Sequence, residues 1–130
     1  MRIQQLLEDK QTFSIETTLA SRSYHKLIKQ AHGLGYKVEL LFFYLPSVRD
    51  ALDRVRLRVK SGGHNIPEDV IYRRYEAGLE NLFNIYMPIV DVWHIIDNRN
   101  SPSRIIAEKN RCLTIYQKDV FNKLNERYGK

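Results

Sequence analysis

The sequence predicts a single α/β domain, with a mainly parallel sheet flanked by helices and with an antiparallel hairpin and a helix at its C-terminal end. Three observations lead to this prediction. The chain has 130 residues, which is the length of one domain. Runs rich in β-formers alternate with helical periodicities, a pattern typical of parallel sheets. The run VELLFFYL, residues 38–45, is apolar on both faces over its second half, as expected of a central parallel strand covered on both sides.

The N-terminal third is predicted to begin with a short helix in residues 2–9. The run TFSIET, residues 12–17, is rich in β-formers and ends in a carboxylate, so we predict the first strand there. A helix is expected in residues 22–35, since apolar side chains recur there at helical spacing: Tyr24, Leu27, Ile28 and Ala31. Residues 36–45 form the clearest predicted strand.

Two helices are predicted on either side of a glycine pair. Pro46 ends the strand, and Ser47 caps a helix with the apolar stripe Val48, Ala51, Leu52, Val55 and Val59. Gly62 and Gly63 end this helix. Pro67 is predicted at the first position of the second helix, which has the apolar stripe Ile71, Tyr75, Leu79, Leu82, Phe83 and Tyr86 and which Pro88 ends.

The C-terminal part is predicted to contain three more strands and a helix. Residues 91–98 hold the third strand of the parallel sheet. The runs RIIAEK and CLTIYQ pair as an antiparallel hairpin across the turn between them. Asp119 is expected to cap a final helix that Gly129 closes.

Composition restricts the classes of protein. The formal net charge is +6 and the isoelectric point is about 9.5, which favours polyanionic partners. No apolar run approaches the roughly 18–20 residues of a membrane span, so we expect no membrane partner. Cys112 is the single cysteine, which excludes an intrachain disulfide; we expect it to be packed and the protein to be cytoplasmic. The histidines show no metal-ligand spacing, so no metal is expected.

The predicted topology gathers polar residues at one edge of the sheet. Right-handed crossovers bring the carboxyl ends of the parallel strands together, and ligands bind at that edge in open α/β sheets. Glu16 and the pair Asp97–Asn98 lie just past predicted strand ends. The helices around the glycine pair leave from the same edge and carry four candidate phosphate-binding residues, Arg54, Arg58, Arg73 and Arg74.

Structural roles remain open for each of these residues. Glu16 can cap a turn or be simply solvated, and arginine stems can cover the margins of an apolar stripe while their charged heads stay in water. On a helical wheel Arg74 lies near the stripe of its helix, whereas Arg73 points nearly opposite. His64, in the glycine turn, is more typical of a turn residue than of a catalyst.

Several phrases of the sequence resemble the zeta toxin family. These are FSIETTLASRSYHKLIKQAHGLGYKVELLFFYLPS, GGHNIPEDVIYRRYEAGL and YMPIVDVWHIIDN, and the resemblance runs from about residue 2 to residue 126. The branch that the chain resembles is that of the chromosomal, ABC-ATPase-like small kinases. The resemblance implies a P-loop kinase fold and a phosphotransferase that uses ATP and Mg²⁺ to phosphorylate UDP-N-acetylglucosamine.

The resemblance also implies roles for the candidate residues. Glu16 and Thr17 match the acid–threonine substrate motif of the family. The lid arginines that contact phosphates in the family correspond to Arg58 and to Arg73 or Arg74. Asp97 and Asn98 match the turn on the nucleotide side.

One departure from the family is severe. The chain contains no G-x-x-x-x-G-K-[ST] motif, and no residue matches the family's catalytic aspartate. We therefore expect residues 1–130 to be one incomplete zeta-toxin-like domain, without its first strand and P-loop, that is inactive by itself. No cofactor is expected to bind tightly, and a nucleotide or nucleotide sugar is expected to bind weakly.

The missing strand predicts an exposed sheet edge, and with it self-association into a homo-oligomer. An antitoxin protein is a second candidate partner. Two alternatives to a kinase fragment stay open: a non-catalytic protein that binds an antitoxin, a paralogue or itself, and a basic nucleic-acid-binding module.

Overall fold

The computed structural model describes residues 2–17, 19–63, 66–98 and 102–129. The helices are α1 (Arg2–Glu8), α2 (Tyr24–Gly33), α3 (Val48–Lys60), α4 (Glu68–Asn81) and α5 (Lys118–Tyr128), and a π-helical turn, Leu82–Tyr86, extends α4. The strands are β1 (Glu39–Tyr44), β2 (Val92–Asp97), β3 (Arg104–Asn110) and β4 (Cys112–Ile115). None of these helices is long and apolar enough to cross a membrane.

The sheet is mixed, in the order β1-β2-β3-β4. β1 and β2 are parallel, with Leu41 opposite His94. β2–β3 and β3–β4 are antiparallel. The α/β class and the C-terminal hairpin agree with the sequence prediction. The predicted parallel sheet is only partly parallel, because β1–β2 is the single parallel pair among the described strands.

The predicted strand in residues 12–17 is also wrong, because this segment is irregular. Strand propensity stabilises a strand only where a neighbouring strand supplies backbone partners and side-chain packing. The backbone groups of residues 13–16 form no hydrogen bond with any described residue. We call residues 13–17 the acidic segment, after Glu16.

β1 lies at the edge of the described sheet rather than at its centre. Its residues alternate between two environments: Leu40, Phe42 and Tyr44 pack against the core, while Leu41 and Phe43 are 50% and 55% exposed. Both faces of the strand are apolar, as the sequence shows, yet no described helix covers the second face. The prediction of a strand covered on both sides was therefore wrong.

The core lies between one face of the sheet and the helices α4 and α5. Leu82, Ile95 and Ile106 are completely buried there. Trp93 of β2 stacks on Phe121 of α5, with ring centroids 6.3 Å apart and an angle of 9° between the planes. These contacts hold the sheet and the helices together and leave the β1 edge outside the core.

The helix ends follow ordinary capping chemistry. The predicted cap at Ser47 is confirmed, since its hydroxyl accepts a hydrogen bond from Asp50 N at 3.3 Å. Pro67 is the residue just before α4 rather than its first residue. Gln117 is the residue just before α5, in the capping position. Asp119 lies inside the first turn, so the predicted cap at Asp119 was wrong. Cys112, expected to be packed, is exposed because it opens the outermost strand.

Candidate functional site: a crevice beside β1

A cavity of about 970 Å³ lies beside β1. Its lining comes from the acidic segment, α2, β1, α3 and α4. We call this cavity the crevice. Its volume is near the upper end of the roughly 300–1,000 Å³ of small-molecule sites.

The acidic segment contributes Glu16 and Thr17 to the lining. The Glu16 carboxylate is exposed and has no hydrogen bond or ion pair with a described residue. The Thr17 hydroxyl oxygen accepts a hydrogen bond from Leu19 N at 3.1 Å, which tightens the turn after the segment. Glu16 therefore does not cap a turn in the described part of the chain, and its oxygens are available to a ligand.

Three side chains outside the predicted site hold the acidic segment in place: Tyr36, Asn81 and Tyr86. The Tyr36 hydroxyl lies 2.9 Å from Leu6 O and 3.1 Å from Gln11 O, just before the segment. After the segment, Asn81 Nδ2 donates to Leu19 O at 2.7 Å. In the sequence, Asn81 lies between Leu79 and Leu82 of the apolar stripe of α4. An asparagine at such a position indicates a buried amide, and a buried amide needs hydrogen-bond partners.

The Tyr86 hydroxyl adds a further anchor by donating to Ser21 O at 2.5 Å. Burial raises the pKa of Tyr86, so this hydroxyl keeps its proton for that bond. Together these bonds fix the position of Glu16 relative to α4, although the segment has no secondary structure.

The arginine group of the crevice consists of Arg54, Arg58 and Arg74. Arg54 Nη2 donates to the backbone oxygen of Asn98 at 2.6 Å and so links α3 to the end of β2. The guanidinium groups of Arg58 and Arg74 have no hydrogen bond or ion pair with a described residue. Both remain available for an anion, and guanidinium groups bind phosphate through paired N–H donors.

The predicted site residues are not all brought together. Asn98 lines the crevice with the arginine group, whereas Asp97 does not. Arg73 is exposed on α4 outside the crevice, one residue before Arg74. His64 lies outside the described residues.

Two contacts restrict the α3–α4 hairpin that carries the arginine group. Arg56 Nη2 lies 2.9 Å from Glu68 Oε1 and so joins the two helices across the turn. Gly63 N donates to Arg58 O at 2.8 Å. A Cβ at Gly63 would lie 2.9 Å from the Arg58 backbone oxygen, so a side chain there would displace the backbone that carries Arg58.

A tyrosine pair fixes α4 against the end of β1. The Tyr75 hydroxyl donates to Leu45 O at 2.6 Å. Burial raises the pKa of both Tyr75 and Tyr44, so both hydroxyls stay neutral in the ordinary pH range. This contact sets the distance between β1 and the helix that carries Arg74.

Two histidines contact carboxylates, and of these residues only Glu39 lines the crevice. His94 Nε2 lies 2.8 Å from Glu39 Oε1 and its Nδ1 3.2 Å from Glu108 Oε2, across three strands. His32 lies 2.8 Å from Asp91. Sequence reasoning missed these contacts because they depend on strand register. Within the described ranges, no group of three His, Cys, Asp or Glu residues is arranged to hold a metal ion.

The crevice thus combines a carboxylate and a hydroxyl on one segment with guanidinium groups on two helices. Residues 1–111 of the chain match the sequence model of the zeta toxin family.

The chain belongs to the zeta toxin family.

The α/β architecture is consistent with the kinase-like fold of this family. The chain is also similar to an uncharacterized protein of Haemophilus influenzae, with 40% identity over 63 residues. That match covers 48% of this chain and 45% of the relative, so the chain spans less than half of the relative's length in the match. No solved structure matches the chain.

Proposed function

We propose that the crevice binds a nucleotide sugar of the UDP-N-acetylglucosamine type through its sugar hydroxyls and its diphosphate. In this proposal the chain forms the acceptor and lid part of a zeta-toxin-like kinase and does not transfer phosphate by itself. The observation that supports it is the convergence of Glu16, Thr17, Arg58 and Arg74 on one cavity.

Each group has a specific task in this proposal. The Glu16 carboxylate accepts hydrogen bonds from sugar hydroxyls, and bonds to an ionised acceptor are stronger than bonds to a neutral one. Arg58 and Arg74 pair with the phosphate oxygens and remain charged at every relevant pH. Arg54 already donates to Asn98 O, so it orients α3 rather than supplying a free guanidinium.

ATP and Mg²⁺, which the family implies, do not fit the donor set of the chain. A P-loop holds the phosphates of ATP through glycine-rich backbone amides and a lysine, and no G-x-x-x-x-G-K-[ST] occurs in the 130 residues. Mg²⁺ prefers an octahedron of oxygen ligands, whereas the described lining of the crevice has more basic than acidic side chains. Its two carboxylates belong to Glu16 and Glu39, and Glu39 is already paired with His94. We therefore assign no catalytic step to this chain.

Isothermal titration with UDP-N-acetylglucosamine tests the binding half of the proposal. We expect an affinity that falls as salt is added, because phosphate pairing in an open crevice is screened. UMP and uridine are the matched pair of controls, because they differ only in the phosphate; uridine should bind at least about tenfold more weakly than UMP, the effect of losing one charged hydrogen bond. Equal affinities for the two ligands would contradict the assignment of the arginines.

A radiolabelled-ATP assay with the same sugar nucleotide tests the second half. We expect no transfer of label above the rate without protein. Sustained turnover by this chain would show that it holds ATP by other means and would contradict the proposal of a non-catalytic part.

A further inference from the structure

The crevice extends along the edge of β1, between the backbone of β1 and the backbone of the acidic segment. We call this part of the crevice the slot. Five consecutive residues of β1, from Glu39 to Phe43, line it. Successive side chains of a strand point to opposite faces of the sheet, so a cavity that touches all five lies at the edge of the strand and not over one face. All five residues of the acidic segment also line it.

The edge of β1 that borders the slot presents unused hydrogen-bonding groups. Val38 O accepts from Asp91 N and Tyr44 O accepts from Asn98 N, so even-numbered residues direct their backbone groups towards β2. In a parallel pair these directions alternate along the strand. Glu39, Leu41 and Phe43 therefore direct their N–H and C=O groups into the slot.

The acidic segment borders the slot with a second row of such groups. As noted above, the backbone of residues 13–16 forms no hydrogen bond with a described residue. Apolar side chains of α2, α3 and α4, among them Leu27, Val55 and Ile71, line the space between. A largely apolar space, bordered by backbone groups that have no partner among the described residues, has the chemistry of a missing strand.

We propose that this slot binds one extended strand of another polypeptide, apolar on both faces and ending in acidic residues. Its backbone pairs with Leu41 and Phe43. Its acidic end lies against the arginine group, whose Arg58 and Arg74 lack an anionic partner among the described residues. Binding by strand addition draws affinity from main-chain hydrogen bonds and specificity from pockets for alternate side chains.

A single strand fits the slot better than the edge of a second copy. β1 of a second molecule is joined to β2 on its inner side, so the acidic segment obstructs the approach of two sheets edge to edge. An isolated strand has no sheet behind it and needs no such displacement. Self-association through β1 is the competing outcome of the test below.

The probe is a fluorescein-labelled peptide with two lysines, six alternating valines and isoleucines, and two C-terminal aspartates. We expect it to bind the full chain, as measured by fluorescence anisotropy. Two matched peptides are controls: one has proline in place of the fourth apolar residue, and one ends in lysines instead of aspartates. The first should bind at least about tenfold more weakly, since proline removes a ladder donor, and the second should also bind more weakly.

Variants of β1 separate backbone pairing from side-chain contact. Leu41→Pro removes the N–H that points into the slot and leaves the β1–β2 bonds in place, because proline is tolerated on a free strand edge. Leu41→Ala removes most of the side chain and keeps that N–H. We expect Leu41→Pro to weaken peptide binding at least about tenfold and Leu41→Ala by about threefold or less.

Amide exchange in the unaltered chain keeps the proposal testable if Leu41→Pro does not fold. The peptide should protect the amides of Leu41 and Phe43, while the amides of Leu40 and Phe42 are protected already by β2. Absence of new protection at Leu41 and Phe43 would overturn the proposal. So would a dimer in light scattering that dissociates in Leu41→Pro, because the edge would then pair with itself.

Strand binding rests on the backbone of β1, whereas the proposed nucleotide-sugar site rests on Glu16, Arg58 and Arg74, and the acidic end of the strand shares the two arginines. Leu41→Pro should therefore weaken peptide binding by a larger factor than it weakens the binding of UDP-N-acetylglucosamine, since neither Glu16 nor an arginine is altered. Failure of peptide binding with intact sugar-nucleotide binding refutes the strand slot alone, and the reverse result refutes the nucleotide-sugar site alone.

Discussion

The two sides of β1 differ in how their apolar surface is used. On one side, Phe42 and Tyr44 pack against the core under α4 and α5. On the other, Leu41 and Phe43 are about half exposed beside the crevice. The chemistry of the residues is nearly the same on both sides, so the covering elements, and not the hydrophobicity of β1, decide the difference.

This contrast assigns stability to one side of the molecule and ligand binding to the other. The core side has closely packed rings and no buried side-chain polar atom without a hydrogen bond among the described residues. The crevice side has guanidinium groups, a carboxylate and backbone groups that find no partner among the residues the structure describes. We therefore expect core variants to alter the free energy of unfolding, and crevice variants to alter ligand affinity.

The largest expected effect on stability compares Ile95→Ala with Leu41→Ala. Ile95 is completely buried and Leu41 is half exposed on the neighbouring strand. We expect Ile95→Ala to lower the free energy of unfolding by about 2–5 kcal/mol, since it leaves a cavity. Leu41→Ala should lower it by less than about 1 kcal/mol. Urea denaturation measures both, and equal losses would mean that the β1 edge is covered in solution.

Asn81→Ala should have the next largest effect on the free energy of unfolding, because the Asn81 side chain connects the core side with the crevice side. The buried Asn81 amide donates to Leu19 O at 2.7 Å and to Ala20 O at 3.1 Å. Removing it takes this donor away from both oxygens, at a loss of about 1–3 kcal/mol in the free energy of unfolding. Affinity for the sugar nucleotide should fall as well, because Asn81 holds the acidic segment. Unchanged affinity in a folded variant would show that Glu16 is positioned by other contacts.

High pH should weaken the tyrosine contacts on the core side. Burial and the hydrogen bond to Glu76 raise the pKa of Tyr128 to about 12, and burial raises that of Tyr75. Because the folded state holds these protons more tightly, the stabilisation is fully present below pH about 10, the ordinary tyrosine pKa. It is lost as the pH rises through that value towards the folded pKa.

Urea unfolding between pH 8 and pH 11 measures this loss. Tyr75→Phe should flatten the alkaline part of the profile, whereas Tyr72→Phe should leave it unchanged. Tyr72 lies on the same helix and is 49% exposed, so it is the matched control. Identical profiles for Tyr75→Phe and the unaltered chain would contradict the assigned role of Tyr75.

The smallest expected effect is at Asp91, beneath the start of β1. Hydrogen bonds from Val38 N at 2.6 Å and from His32 lower the pKa of this carboxylate. Its contribution is present above the unfolded pKa of about 3.9 and is lost as the pH falls through the lower folded value. Asp91→Asn should cost less than about 1 kcal/mol, because the side chain is 41% exposed.

Acid denaturation of Asp91→Asn checks this prediction. Its stability should fall less between pH 5 and pH 3 than that of the unaltered chain. Glu80→Gln, an exposed carboxylate on α4, is the control. An equally shallow acid profile in both variants would mean that the bond from Val38 N does not persist in solution.

The elements that the sequence predicts correctly depend on local chemistry. The α3 and α4 stripes, the Ser47 cap and the β3–β4 hairpin follow from residue spacing, capping and turns. Residues 12–17 and the environment of β1 were mispredicted because both depend on which strand lies alongside. A β-rich run shows that a segment can pair, but its neighbours decide whether it does.

The candidate site was predictable to a similar extent. Glu16 was predicted from the end of a strand that the structure does not have, and Arg74 was predicted from a helical wheel; both line the crevice. The anchoring roles of Tyr36 and Tyr86 depend on backbone oxygens that lie far away in sequence, 25 to 65 residues distant. No local pattern marks such partners, so only the folded arrangement identifies them.

The most direct test of the crevice as a phosphate-binding site compares two adjacent arginines of α4. Titration calorimetry with UDP-N-acetylglucosamine is carried out on Arg74→Gln and on Arg73→Gln. Both variants lose one charge, but only Arg74 lines the crevice. We expect Arg74→Gln to bind UDP-N-acetylglucosamine at least about tenfold more weakly than the unaltered chain does, the effect of one charged hydrogen bond. We expect Arg73→Gln to bind this ligand as tightly as the unaltered chain does. Equal losses in the two variants would contradict the crevice as a phosphate-binding site, since the ligand would then respond to net charge and not to the crevice.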